Sequence, residues 1–177
     1  MIIEAHHVVT LAYELREGSP DGELLERMDS NYPFRFLFGT GALLPAFEDR
    51  LQGLSEGDRF AFLLSPEQAY GPVEPGNIIN VPREAFRMDG EEPANLVVAG
   101  NFVSLTDDEG ESHHGKILEF DEGKVRVDFN HAMAGKSLYF DGVVLNIRIA
   151  TVDELIRRHY LEEDGLRTHD DDEEALW

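Results

Sequence analysis

Between Val8 and Leu15, the apolar residues Val9, Leu11, Tyr13 and Leu15 alternate with Val8, Thr10, Ala12 and Glu14. This period of two predicts a strand with one face in a core. Gly18 to Gly22 supply a turn. Alternation returns at Phe34, Phe36 and Phe38 and stops at Gly39-Thr40-Gly41. Leu44, Phe47, Leu51 and Leu54 then recur at helical spacing, and Gly53 closes that short helix. Phe60, Phe62 and Leu64 mark one face of a strand over 59–64. It runs into Ser65-Pro66-Glu67-Gln68-Ala69-Tyr70-Gly71-Pro72, where Gly71 and Pro72 turn the backbone and hold the Tyr70 ring at the rim of the core.

From Val73 to about Phe129 the pattern changes. Pro75-Gly76, Asp89-Gly90, Glu109-Gly110 and Glu122-Gly123 punctuate short apolar runs at 77–81, 96–105, 116–120 and 124–129, with a helical turn expected over 82–86. Turn signals at such intervals predict a small β-rich unit of its own. After Asn130-His131-Ala132-Met133-Ala134-Gly135 the long alternating pattern of residues 8–64 resumes. Over 138–149 it predicts a strand with Val143, Leu145, Ile147 and Ile149 on one side. Thr151-Val152-Asp153-Glu154 has the spacing of a capping box and predicts a helix carrying Leu155, Ile156 and Tyr160 on one side. The acidic run Asp170 to Glu174 reads as a solvated tail.

At 177 residues, 42% of them hydrophobic, the chain can hold one generous domain or two small ones. Fifteen basic against 36 acidic residues give a formal charge of −21, which argues against nucleic acid and anionic membranes as partners. The same charge favours solubility while apolar surface is exposed. No apolar run is long enough to span a bilayer, and the opening Met1 to His6 is unlike a secretion signal, so a soluble, cytoplasmic protein is expected. Cysteine is absent, which rules out a thiol nucleophile.

Gly39-Thr40-Gly41 invites a phosphate-loop reading, but no third glycine or lysine follows and the next helix carries Glu48 and Asp49. A plain strand-to-helix turn is the better reading. His6-His7 and His113-His114 are adjacent pairs, which on a strand point to opposite faces, so no metal site is expected. His169 beside the acidic run offers at most a weak hold on divalent cations. No serine sits in a nucleophile elbow. What stands near strand ends is a set of aromatic and aliphatic residues: Tyr13, Phe36, Leu43, Leu44, Phe47, Tyr70 and Phe140. Taken singly, each reads as core.

Their order is specific. Leu11-Ala12-Tyr13, Phe36-Leu37-Phe38-Gly39-Thr40-Gly41, Leu43-Leu44-Pro45-Ala46-Phe47-Glu48, Leu54-Ser55-Glu56-Gly57-Asp58, Ala69-Tyr70-Gly71 and Leu138-Tyr139-Phe140 together resemble the FK506-binding (FKBP) type of peptidyl-prolyl cis-trans isomerase. The segment after Tyr70 and the phrase Val127 to Gly135 are similar to its SlyD-like branch. The resemblance implies an α+β, mostly β fold: a half-open antiparallel sheet around a short helix, with a small β-rich domain inserted in the flap. The implied divisions are 1–73 with 130–152 for the isomerase domain, 74–129 for an inserted chaperone domain, and 153–177 for a helix and acidic tail.

It also implies an activity that accelerates proline-limited folding without any cofactor. Phe47 would form the floor of an apolar pocket, Tyr13, Phe36 and Phe140 its walls, Leu43 and Leu44 a backbone contact, and Tyr70 a hydroxyl donor to a substrate carbonyl. Glu26 stands where the family has an aspartate lining the pocket. A client-binding face would draw on Ile78, Ile79, Val81, Phe86, Val97, Val98 and Phe102, each of which reads singly as core. The implied partners are unfolded or proline-containing polypeptides and FK506-like ligands, and a monomer is expected. A holdase with little isomerase activity is the alternative, favoured by the Glu26 departure. The histidine-rich, nickel-binding tail of many SlyD relatives has no counterpart here, so metal delivery does not carry over.

Overall fold

The computed structural model describes residues 1–162. Its elements in chain order are β1 (His7–Glu17), β2 (Leu24–Met28), β3 (Phe34–Leu37), α1 (Pro45–Leu51), β4 (Arg59–Leu64), β5 (Ile78–Pro82), β6 (Phe102–Thr106), β7 (Ser112–Phe120), β8 (Lys124–Asp128), β9 (Leu138–Ile149) and α2 (Val152–Arg157). The chain divides into two compact units. Among the described residues, one contains 1–71 and 135–162, and the other is Pro72–Ala134.

In the first unit β1 pairs along its whole length with β9, while its other edge is shared between β3, opposite Val8 to Leu11, and β2, opposite Tyr13 to Arg16. β4 completes the antiparallel sheet on the far side of β9. Helix α1 buries Phe47 and Leu51 and ends before Leu54, because Gln52 leaves helical geometry and Gly53 takes φ +86°. Strand β2 is not foreseen from the sequence: a short run with Glu26 and Arg27 at its centre carries no alternation of polarity.

Two expectations of phase are corrected. In β9, Thr10 faces Asn146 but Leu11 faces Val144, so Leu145 is an extra residue. Such a bulge reverses the facing of everything beyond it. Val144 and Ile147 therefore turn inward and Leu145 is exposed, while Ile149, on the Ile147 side but at the end of the strand, is exposed as well. In α2 the capping box forms as expected, but the helix stops at Arg157 and Arg158 is left-handed at φ +59°. Leu155 and Ile156 remain exposed, and the residue α2 buries is Glu154.

The Glu154 carboxylate accepts from Arg148 Nη1 at 2.8 Å and Nη2 at 2.6 Å, and from the N–H groups of Thr151 and Leu161 at 2.8 and 2.7 Å. This cluster ties down the segment after α2, whose Tyr160 packs on Val8, Leu37 and Ala150. Arg35 donates to Thr10 Oγ1 and to Glu162. That cover explains why Val8 and Thr10, on the face of β1 expected to be open, are buried.

The second unit is an antiparallel sheet in the order β5-β8-β7-β6. Phe86, Val97, Val103, Ile117, Val125 and Val127 form its core. The helical turn expected before residue 87 is present at Arg83–Phe86. The apolar run at 96–105 is strand only from Phe102, since the Asn101 side chain holds the Asn95 and Leu96 carbonyls in a turn. Gly115 lies under Val127 and Phe129, where a Cβ would come within 2.5 Å of Val127.

Candidate active site

The first unit gathers its aromatic rings around Phe47. The Phe47 centroid lies 4.9 Å from Phe140, 5.8 Å from Phe62, 6.3 Å from Phe36 and 6.4 Å from Tyr13. Phe140 is 5.6 Å from Tyr13 and 5.5 Å from Phe62. Register accounts for the convergence: Phe140 faces Leu15 across one edge of β9 and Phe62 across the other, while β3 brings Phe36 opposite Val9. Most of these pairs meet edge-on or tilted, arrangements that suit the ring quadrupoles. Gly142 makes room for them, because a Cβ there would stand 2.3 Å from the Ala12 carbonyl oxygen and 2.7 Å from both Phe60 and Tyr13.

Of the residues expected from sequence, Tyr13, Phe36, Phe47 and Phe140 form this cluster, all of them buried. Phe34, 5.8 Å from Tyr13 and 5.3 Å from Phe36, and Phe62 belong to it too. Neither is among the site residues that the sequence points to, although the alternation in 34–38 and 59–64 places each on the same face as a residue or register partner of the cluster. Leu43 is buried, and half-buried Leu44 precedes α1. The Leu44 carbonyl already accepts from the Phe47 and Glu48 N–H groups at 3.0 and 3.2 Å. A backbone contact from Leu43 and Leu44 to a ligand therefore falls to their N–H groups or the Leu43 carbonyl.

Tyr70 is set by a single turn of 3₁₀ helix, Pro66–Gln68, which Ser65 and Gln68 cap reciprocally. Gly71, at φ +75°, donates to the Pro66 carbonyl at 2.7 Å and closes the turn. The Tyr70 hydroxyl is pushed up to about 12 by burial and by the charge of Glu26, which fixes it as a donor at ordinary pH. Glu26 pairs with Leu15 across β1 and β2. Burial pushes its carboxyl up to about 7, and the Tyr13 hydroxyl offsets part of that rise. Neither carboxylate oxygen has a partner at good hydrogen-bonding geometry. The α1 carboxylate Glu48 accepts from the Gly39 N–H at 3.3 Å, which fills the would-be phosphate loop from within.

The second unit sorts its candidate residues by burial. Phe86 and Val97 lie in the core, and Val81 packs against it, so these three present little surface to a client. Ile79, Val98 and Phe102 are exposed, Phe102 at 73%, and Leu118 and Phe120 join them. Half-buried Ile78, with Asn80, Phe120, Lys124 and Arg126, lines a groove of about 640 Å³. Arg83 lies 5.3 Å over the Phe120 ring and is gripped by Glu92 at 2.9 and 3.0 Å. On the β6–β7 hairpin Asp107, Glu111 and His113 bring three possible ligand atoms within 4.8 Å of one another. All three residues are exposed, and Asp107 already bonds His113 and the Glu109 and Glu111 N–H groups.

The sequence profile of the FKBP-type peptidyl-prolyl cis-trans isomerases matches residues 2–101. The chain is 34% identical to the FKBP-type peptidyl-prolyl cis-trans isomerase SlyD of Pasteurella multocida, over 99% of its own length and 85% of the relative's. Against SlyD of Escherichia coli strain K12 the identity is 34%, over 86% of this chain and 74% of the relative. A probable FKBP-type 16 kDa isomerase of Pseudomonas fluorescens is also 34% identical, over 79% of this chain and 88% of its own. The family match and the near end-to-end alignments agree with the mostly β architecture: this chain belongs to the FKBP-type peptidyl-prolyl cis-trans isomerases, in their SlyD-like branch.

Proposed function

We propose that the aromatic cup around Phe47 is where this isomerase acts on proline-containing polypeptides, and that the inserted unit captures unfolded segments for it. The observation that carries the reading is the convergence of Tyr13, Phe36, Phe47 and Phe140, with Tyr70 and Glu26 beside them. Rotation about a prolyl bond faces a barrier of about 18–20 kcal/mol because amide resonance must be broken. No bond is made or cut, so neither acid, base nor nucleophile is needed. An apolar site destabilises the charge-separated planar amide more than the twisted one, and binding the twisted form better is catalysis. Tyr70 would donate to a substrate carbonyl, while Phe47, Tyr13, Phe36 and Phe140 hold the proline ring. FK506-like ligands are proposed for the same cup.

For capture, the exposed Ile79, Val98, Phe102, Leu118 and Phe120 supply apolar surface beside sheet edges β5 and β6, where an extended client can add as a strand. Covalent linkage to the cup then raises the local concentration of captured prolines. Operation as a monomer in the cytoplasm completes the proposal; a cysteine-free sequence suits a reducing compartment.

The test is a proline-limited refolding assay run beside a tetrapeptide assay, on the intact protein, on Tyr70→Ala, and on a version with residues 72–134 replaced by a short link. The Gly135 N–H donates to the Gly71 carbonyl at 2.7 Å, so the two ends to be joined already meet. Deletion should slow the protein substrate at least tenfold and leave the tetrapeptide rate within a few-fold. An intact protein that suppresses aggregation yet leaves the slow refolding phase untouched would instead be a holdase.

A further inference from the structure

We propose that Glu26 couples this site to protons: a proline peptide binds preferentially to the form in which the Glu26 carboxyl is neutral, so that binding takes up a proton. The inference rests on the cup being the substrate site, and it concerns a residue that touches the cup rather than the twisting bond.

Strand β2 turns Glu26 toward Leu15 and the Tyr13 side of β1. Both carboxylate oxygens are sealed from solvent without a well-formed hydrogen bond, which costs a charged group far more than a neutral one. Among the described residues no cation pairs with it. The charged neighbours on the two strands alternate to the opposite face, where Arg16 donates to Glu14 at 3.2 Å and to the Gly22 carbonyl, and Arg27 lies 4.0 Å from Glu14. The groups facing Glu26 are two phenols, Tyr13 from β1 and Tyr70 from the turn after β4. Tyr70 stays protonated across the ordinary pH range, so it supplies no compensating charge.

Before a peptide binds, Glu26 is divided between its neutral and ionised forms near pH 7, with its carboxyl pushed up to about 7 by burial. A proline peptide laid over the cup replaces the water outside that seal with apolar groups and lowers the polarity around the carboxyl further. That penalises the ionised form further and leaves the neutral form as it was. Peptide binding and proton binding then favour each other by the same factor. At pH 7 about half of the Glu26 carboxyls are ionised, so uptake approaches half a proton per peptide, and KM rises up to tenfold per pH unit above 7.

The experiment is titration calorimetry of a proline-containing tetrapeptide into the intact protein at pH 7, in phosphate and in Tris, whose ionisation enthalpies differ. A buffer-dependent enthalpy equivalent to about half a proton is expected, falling to none in Glu26→Gln, whose KM should also be flat from pH 6 to 8. A carboxyl ¹³C titration of the unaltered protein, with and without saturating peptide, gives the same answer without a variant; the Glu26 midpoint should move up by at least one pH unit. Binding with equal enthalpies in both buffers, or with an unmoved midpoint, overturns the proposal. Absence of saturable peptide binding at every pH would overturn the site assignment, and this inference with it.

Discussion

Replacing Glu154 by Gln removes the charge from the carboxylate that anchors the segment after α2 while keeping its shape. That carboxylate is held down to about 2 against 4.5 for a free glutamate, chiefly by the two Arg148 hydrogen bonds, with the Leu161 and Thr151 N–H groups helping. The difference corresponds to about 3 kcal/mol favouring the ionised folded form. The cost of breaking a fully buried pair, about 3–5 kcal/mol, is an upper bound of similar size, because the Arg148 side chain is partly exposed. Because the folded value is depressed, this stability is fully present above pH 4.5 and is lost as pH falls toward 2. Glu154→Gln should therefore be about 3 kcal/mol less stable than the parent from pH 5 to 8, and the gap should close between pH 4.5 and 2. All five tyrosines lie in the unit that holds Glu154, so urea unfolding followed by near-ultraviolet circular dichroism of tyrosine reports on the right part of the chain. A gap under about 1 kcal/mol at pH 7, or one that persists unchanged at pH 2, would refute the reasoning.

Further consequences follow from packing. Gly142→Ala should cost at least about 3 kcal/mol, since its Cβ meets the Ala12 carbonyl and two aromatic side chains at 2.3–2.7 Å; urea unfolding measures it. Phe102→Ser, at an exposed position, should change stability by under about 0.5 kcal/mol yet weaken suppression of aggregation of an unfolded client, whereas Phe86→Ala, in the core, should cost about 3–5 kcal/mol.

The strands with strict alternation are legible from the residues alone, as is the capping box at Thr151. What is not legible has identifiable causes. The phase of β9 beyond residue 144 depends on one bulged residue, which pattern alone does not mark. The burial of Val8 depends on Tyr160, some 150 residues away, and β2 is a short strand without alternation. The aromatic cluster is visible only when Tyr13, Phe36, Phe47 and Phe140 are taken as an ordered set, because each ring singly looks like core. In the inserted unit the sequence offers seven apolar candidates without distinguishing Phe86, which fills the core, from Phe102, which faces solvent.

The central claim is that an apolar aromatic cup turns the prolyl bond with no proton transferred and no covalent step. Exchange spectroscopy on a proline-containing peptide, with catalytic amounts of protein carrying labelled aromatic rings, tests it most directly, in H₂O and in D₂O at saturating peptide. The account predicts accelerated cis–trans exchange, a solvent isotope effect on kcat near one, and shift changes centred on Tyr13, Phe36, Phe47, Tyr70 and Phe140. Accelerated exchange with an isotope effect of two or more, or with shifts confined to other rings, would contradict it.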